Sequence, residues 1–344
     1  MAFIRKNWAG VMLCTIIALP SWLIGKTFPI VGGPVIAIIV GMISILFIKN
    51  KSKFEPGIKF VSKKILQYSV ILLGFGLNLS VILETGKQSL PIIVSTITTS
   101  LVIAFILHKL IHIPPKISAL IGVGSSVCGG SAIAATAPVI DADDEEVAQA
   151  ISVIFFFNVL AAVLFPALGT WLGFSRTSGE AFGIFAGTAI NDTSSVTAAA
   201  SSWDSMYTLG SATLDKAVTV KLTRTLAIIP ITLILAFIRT KEGKHADGKI
   251  VKWKNVFPFF ILYFILASVI TTIAAGLGFP ASIFTPLKEL SKFFIILAMA
   301  AIGLNTNLVK LIKTGGEPII MGFFCWLGIT AVSLVLQHYL GLWT

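Results

Sequence analysis

Long apolar runs separated by short polar segments make up most of the chain. They divide into about eleven spans: 8–25, 29–48, 63–83, 90–107, 117–140, 147–173, 180–200, 216–238, 256–276, 290–306 and 318–341. A transmembrane helix needs about 20 predominantly apolar residues, so the pattern predicts an all-α polytopic membrane protein. Three spans carry enough Gly, Ser, Thr or Pro to be expected as broken helices. No Gly/Pro-rich linker interrupts the series, and 1–344 reads as one integral domain.

The polar segments suggest an orientation. With the N-terminus placed in the cytoplasm, the inside segments are 1–7, 49–64, 108–116, 174–179, 239–255 and 307–317. Together they hold 19 Lys and Arg, against 3 on the other side. The acidic run from Asp141 to Glu146 also falls outside. Cytoplasmic loops collect Lys and Arg, so the expected arrangement is N-in, C-out. The polar middle, 178–225, leaves room for one span more or fewer.

Composition sharpens the class. The chain is 56% hydrophobic and only 12% charged, with a mean hydropathy of +0.95; a soluble domain carries about 25% charge. Eleven spans leave about 120 residues for all loops, too few for a soluble domain in any one of them. That argues against a secreted enzyme, a nucleic-acid-binding module and a receptor with a large ectodomain. The net charge of +11 follows the loops, so no nucleic-acid partner is expected. Cys14, Cys128 and Cys325 are far apart and odd in number, which implies neither a disulfide framework nor a metal site. Arg5 and Lys6 precede an apolar stretch without an A-x-A cleavage site, so the first span is expected to be retained.

A repeat is visible by eye. Gly74-Phe-Gly-Leu-Asn-Leu79 matches Ala301-Ile-Gly-Leu-Asn-Thr306 at an offset of 227, and Pro91-Ile-Ile93 matches Pro318-Ile-Ile320 at the same offset. With the expected span count the two copies run in opposite directions, as inverted-topology repeats of secondary transporters do. Repeat halves of about 1–173 and 174–344 follow. Chance similarity in apolar sequence is the alternative, and the shared Gly-Leu-Asn with an in-register Pro argues against it.

Three constellations can carry chemistry. The first is Gly122-Val-Gly-Ser-Ser-Val-Cys-Gly-Gly-Ser-Ala132 in the fifth span. An unwound stretch inside a membrane survives only against protein or a wet cavity. Half-helix N-termini there would offer free N–H groups to an anion. Close packing through small residues is the alternative. The second is Ala186-Gly-Thr-Ala-Ile-Asn-Asp-Thr-Ser-Ser-Val-Thr197. A carboxylate at a helix centre costs about 2.5–3.5 kcal/mol on insertion scales, so Asp192 needs a partner or water. It would otherwise lie in a polar loop or cap a half-helix.

The third is Lys221-Leu-Thr-Arg224, an i, i+3 pair on one helix face. Arg offers a planar fork for an oxyanion and Lys a point charge. Counted back from Arg239 at about 1.5 Å per residue, both sit in the outer half of the membrane, where snorkelling to the headgroups is the alternative. Asn78 and Asn305 end apolar helices and read first as C-caps.

At these motifs the chain resembles the YeiH-type family of bacterial membrane proteins, often labelled sulfate exporters. The resemblance rests on Gly76-Leu-Asn78, Cys128-Gly-Gly-Ser-Ala-Ile133, Gly187-Thr-Ala-Ile-Asn-Asp-Thr193, Lys221-Leu-Thr-Arg224 and Ala300-Ala-Ile-Gly-Leu-Asn305. It implies a multi-pass transporter of the bacterial inner membrane, with a core bundle of broken, crossing helices beside a scaffold bundle. The family commonly carries His where this chain has Asn191, so any proton coupling through that His would be absent here.

The leading expectation is a secondary transporter of a small anion such as sulfate, a related sulfur compound or a carboxylate. The expected substrate-binding residues are Ser125, Ser126, Cys128, Gly129, Gly130, Ser131, Asn191, Thr193, Ser194, Lys221 and Arg224. Asp192 would bind a coupling ion, H+ or Na+, or orient one of the basic side chains. No cofactor or metal is expected. The lipid bilayer is the expected surrounding, and a homo-oligomer is compatible with the sequence. A passive anion channel, and an intramembrane enzyme using Cys128 as nucleophile, stay open as rival readings.

Overall fold

The computed structural model of the chain describes residues 2–27, 33–48, 51–228, 230–231, 234–235, 259–305 and 316–343. Every regular element among them is helical. In chain order these are α1 (Ala2–Thr27), α2 (Gly33–Phe47), α3 (Glu55–Phe60), a π turn (Val61–Ile65) and α4 (Leu66–Leu73). A 3₁₀ turn (Gly74–Gly76) leads to α5 (Leu79–Ile111), α6 (Pro115–Ser126), α7 (Gly130–Thr136) and α8 (Asp144–Leu172). They are followed by α9 (Glu180–Ala189), α10 (Thr193–Tyr207), α11 (Ala212–Thr225), α12 (Phe259–Gly276), α13 (Thr285–Asn305) and α14 (Gly316–Tyr339).

Local chemistry sets many of the ends. The acidic run expected as a loop starts α8. There Asp143 accepts from the Glu145 and Glu146 N–H groups while the Glu146 carboxylate accepts from the Asp143 N–H, a capping box. Gly173, at φ 79°, closes the same helix. Asn78, expected as a C-cap, is instead the N-cap of α5: its side chain accepts from the Ser80 N–H at 3.0 Å. The span expected over 63–83 therefore ends at Gly76, and α5 begins well before the expected 90. Asn305 is the last residue of α13.

Five helical segments among the described residues are long and apolar enough to cross a membrane: Lys6–Gly25, Leu79–Ile111, Glu145–Leu172, Phe259–Gly276 and Gly316–Tyr339. The other expected spans fall on shorter, interrupted, more polar or partly described helices. Segment 239–255, most of 307–317 and the Thr306 end of the repeat lie outside the described residues.

The helices sort into two bundles. In one, α1, α2, α3, α4, α12 and α13 pack together; in the other, α5 to α11 pack with α14. The first is tight because glycines let backbones touch. A Cβ on Gly41 of α2 would lie 2.6 Å from the Ala300 carbonyl oxygen of α13, and one on Gly74 would lie 2.5 Å from the Phe264 carbonyl oxygen of α12. The helices around the two copies of the short repeat pack in pairs, α4 on α13 and α5 on α14. Between the bundles, α10 leans on α2 and α13. Its buried Trp203 stacks on Phe182, with ring centroids 4.1 Å apart.

Candidate functional site

Two helices break inside the second bundle, at the two hydroxyl-rich stretches. Beyond α6, Val127 leaves helical geometry and Gly129 turns at φ 68° before α7 resumes the direction of travel. A Cβ at Gly129 would lie 3.2 Å from the Asp192 Cβ and 3.4 Å from Asn158 Nδ2, so both the turn and the close approach demand glycine. Beyond α9, Ile190 is extended and Asp192 caps α10. The Asp192 Oδ2 accepts from the Ser194 hydroxyl and from the Ser195 N–H. The two breaks meet where Gly129 faces Asp192. Asn158, buried on α8, accepts the Asn191 N–H at 3.0 Å and ties the second break to a third helix.

Each break leaves a helix C-terminus whose last carbonyls lack helical partners and carry partial negative charge. The two basic residues of α11 answer this need. Lys221 Nζ donates to the carbonyls of Val127 at 3.0 Å and Ile190 at 2.6 Å. Arg224 donates from Nε to the Ser126 carbonyl at 2.6 Å, from Nη1 to the Thr188 carbonyl and from Nη2 to the Ser125 carbonyl. Nη2 also reaches Asn191 Oδ1 at 3.4 Å. Both side chains are 0% exposed.

This arrangement corrects two expectations. The cations neither snorkel to a surface nor present their donors to a crevice. Five backbone carbonyls from both breaks take them, because buried carbonyls and buried cations each need a partner and here supply one another. Ser125 and Ser126 enter the same cluster through their carbonyls, and the Ser126 hydroxyl turns back onto the Val123 carbonyl.

The opposite side of each break faces an open crevice between the bundles. One lobe, about 350 Å³, is lined from the second bundle by Cys128, Gly130, Ser131, Asn158, Asp192, Thr193 and Ser194. Lys63, Leu66, Gln67 and Phe260 of the first bundle line it across the gap. A second lobe, about 550 Å³, shares Lys63, Gln67, Cys128, Ser131, Thr193 and Phe260 with the first and runs on past Tyr68, Ile71 and Tyr263. Within this region Asp192 Oδ1 and Asn191 Nδ2 are buried without a hydrogen-bond partner among the described residues. The free carboxylate oxygen is a site that a proton, a cation or a donor group would satisfy.

A smaller crevice, about 240 Å³, lies between the same bundles toward the C-terminal end of α10. It is lined by Trp22, Pro34, Ser201, Asp204, Ser205, Glu289 and Lys292, among others. Asp204 also fastens this end of α10 to α11, accepting the Thr213 and Leu214 N–H groups, each at 2.9 Å.

Six of the expected site residues therefore line the larger crevice: Cys128, Gly130, Ser131, Asp192, Thr193 and Ser194. Gly129 makes the turn behind them. Ser125, Ser126, Asn191, Lys221 and Arg224 form the buried cluster on the far side. Sequence reasoning missed Asn158, Lys63, Gln67 and Phe260. Asn158 had a signal, as a lone amide in the apolar run Ile154-Phe-Phe-Phe-Asn-Val-Leu160. Lys63 had been assigned to a cytoplasmic loop.

Comparison with known proteins places the chain. The model of the family described as conserved hypothetical protein 698 matches residues 9–322. A UPF0324 membrane protein of Streptococcus mutans is 59% identical over 341 residues, covering 98% of each chain. Another from Fusobacterium nucleatum is 58% identical over 344 residues, 97% of this chain and 98% of the relative. A third, from Streptococcus agalactiae serotype V, is 57% identical over 342 residues, 98% and 99% of the two chains. These names support the resemblance to a bacterial membrane-protein family and do not carry its sulfate label. Helices of membrane-spanning length and near full-length relatives agree: this is a membrane protein of the UPF0324 family, the family of conserved hypothetical protein 698.

Proposed function

We propose that the protein is a secondary transporter of a small anion, sulfate or a related sulfur-containing or carboxylate anion, working by alternating access. The observation that carries this reading is the pair of broken helices whose second halves begin, at Gly130-Ser131 and at Asp192-Thr193-Ser194, on a crevice between two bundles. A second crevice lies between the same bundles about 16 Å further along α10, counting 1.5 Å per residue from Ser194 to Ser205. A rocking or sliding of one bundle against the other would open these crevices in turn, the usual plan of transporters with mid-membrane helix breaks. The eleven-span, N-in topology and the inverted repeat belong to this reading. The bacterial inner membrane is the place proposed for it.

The residues take distinct roles. Ser131 and Thr193 offer hydroxyl donors to the anion, while the Ser194 hydroxyl donates to Asp192. Asn158 holds the second break in place. Lys221 and Arg224 are positioning residues that keep the two half-helices crossed. Asp192 is the coupling residue: ionised, its free oxygen repels an anion in the same crevice, and a proton or Na+ there removes the repulsion. Anion and coupling ion then bind together, by a reciprocal linkage. No enzymatic step belongs to this proposal; Cys128 lines the crevice, but no His among the described residues lines either lobe beside it.

Reconstitution into liposomes tests the reading. Radiolabelled sulfate, a short alkanesulfonate and a short carboxylate are offered with and without an inward proton or sodium gradient. Uptake of at least one anion above its equilibrium level, abolished when the gradient is collapsed, is the expected result. Equilibration that ignores the gradient would instead mean a passive pore, and no flux of any anion would overturn the proposal.

A further inference from the structure

Resting on that transport reading, we propose that the crevice takes an organic anion with an apolar body. Lys63 holds the charged head near Ser131 and Thr193, and Phe155 and Phe260 cover the body.

Three observations lead there. The first is the supply of positive charge. Lys221 and Arg224, the cations the sequence offers for an oxyanion, are fully buried with their donors committed to backbone carbonyls. Lys63 is exposed, lines both lobes of the crevice and has no ion-pair partner among the described residues. It stands in the π turn Val61–Ile65 that joins α3 to α4. Such a turn adds a residue to the helical circuit and re-aims its side chains, a device common at functional sites.

The second is the character of the walls. Opposite the hydroxyls, the nearer lobe is bounded by Leu66, Ile154, Phe155 and Phe260, and the further one adds Ile71 and Tyr263. A compact inorganic oxyanion keeps its hydration only where polar groups surround it, and desolvation against these side chains would go uncompensated. An apolar body turns the same walls into a source of affinity.

The third is size. Lobes of about 350 and 550 Å³ fall within the range of about 300–1,000 Å³ typical of organic-ligand sites. A tetrahedral oxyanion would occupy a small part of either. The carboxylate of Asp192 does not oppose such a ligand once the coupling ion has neutralised it, so the two proposals fit together.

The test uses the full chain in lipid nanodiscs, with empty nanodiscs subtracted, at fixed pH and sodium. The probes are inorganic sulfate and the unbranched methane-, butane- and hexanesulfonates. Affinity is expected to rise about two- to fourfold per added methylene, with sulfate the weakest ligand. Lys63→Gln should weaken every sulfonate by about tenfold or more, and Lys63→Arg should restore most of the loss. Phe260→Ala should flatten the chain-length gradient, weakening hexanesulfonate the most. Sulfate binding as tightly as hexanesulfonate would overturn the inference and leave the transport reading standing. A gradient equally steep in Phe260→Ala, with affinities unchanged in Lys63→Gln, would reveal lipid partition and overturn it too. Silence toward every anion, sulfate included, would overturn both.

Discussion

Replacing Arg224 with Ala should destabilise the whole second bundle, not simply empty a binding site. The guanidinium is the donor for three buried carbonyls, those of Ser125, Ser126 and Thr188. The first two end α6 and the third lies in the last turn of α9. Each buried acceptor left without a partner costs about 1–3 kcal/mol, and dismantling a buried charged network typically costs about 3–5 kcal/mol. For 344 residues at about 2.1 cal/mol/K each, that corresponds to a fall of about 4–7 °C in the thermal midpoint. Arg224→Lys keeps the charge and loses the fork that spans both breaks, so it should fall in between. Lys221→Met, which orphans the Val127 and Ile190 carbonyls, should resemble Arg224→Ala. The measurement is thermal unfolding of detergent-purified variants. A midpoint unchanged within 2 °C for Arg224→Ala would mean that the carbonyls find other donors and that the pinning role is wrong; the threshold follows from about 1.4 °C per kcal/mol.

Asp192→Asn should leave the fold intact and remove the coupling. Asn caps helices about as well as Asp, so α10 keeps its start, while the charge that excludes an anion disappears. With a proton as the coupling ion, the wild type binds the anion when the carboxyl is protonated. As pH rises through its titration the affinity should fall by up to tenfold per unit, because one proton is linked to one anion. The Asn variant should bind with an affinity that does not vary with pH and should equilibrate the anion without concentrating it. With sodium as the ion, the same contrast appears along a sodium titration. Paired binding isotherms and uptake curves check this; uphill transport retained by Asp192→Asn would remove Asp192 from the coupling role.

The two breaks were legible because their residues are out of place in an apolar span. Hydroxyls and paired glycines at 125–131, and a carboxylate among hydroxyls at 188–197, have no reason to sit in continuous membrane helix, and both stretches do interrupt their helices. The alternation of apolar runs and polar joints was legible as well, with helices found in the expected order. What Lys221 and Arg224 do was not. Their spacing shows that they share a helix face, but their partners are main-chain carbonyls, which every residue has and no side-chain pattern reveals. The sequence offers a ligand, a headgroup or Asp192 as their partner, and none of these is a main-chain carbonyl.

Asn78 was misassigned for a related reason: Asn serves both helix ends, and its preference for the start of α5 depends on the turn that Gly74–Gly76 makes before it. Lys63 was missed because a basic residue beside a polar segment reads as loop charge. Only the π turn and the packing of the first bundle bring it to the crevice. The resemblance to a known family proved sound at the level of a bacterial membrane protein, and the substrate that its label suggests remains part of the proposal.

The claim on which the account depends is that water reaches the broken helices from one face of the membrane through the larger crevice. Thiol accessibility in oriented vesicles measures this directly, with Ser131→Cys and Ser205→Cys each introduced after Cys14, Cys128 and Cys325 are replaced by Ala. Ser131→Cys should react with a membrane-impermeant maleimide from the cytoplasmic face alone, and Ser205→Cys from the opposite face alone. A Ser131→Cys protein that stays unlabelled from both faces, while Ser205→Cys labels normally, would contradict it.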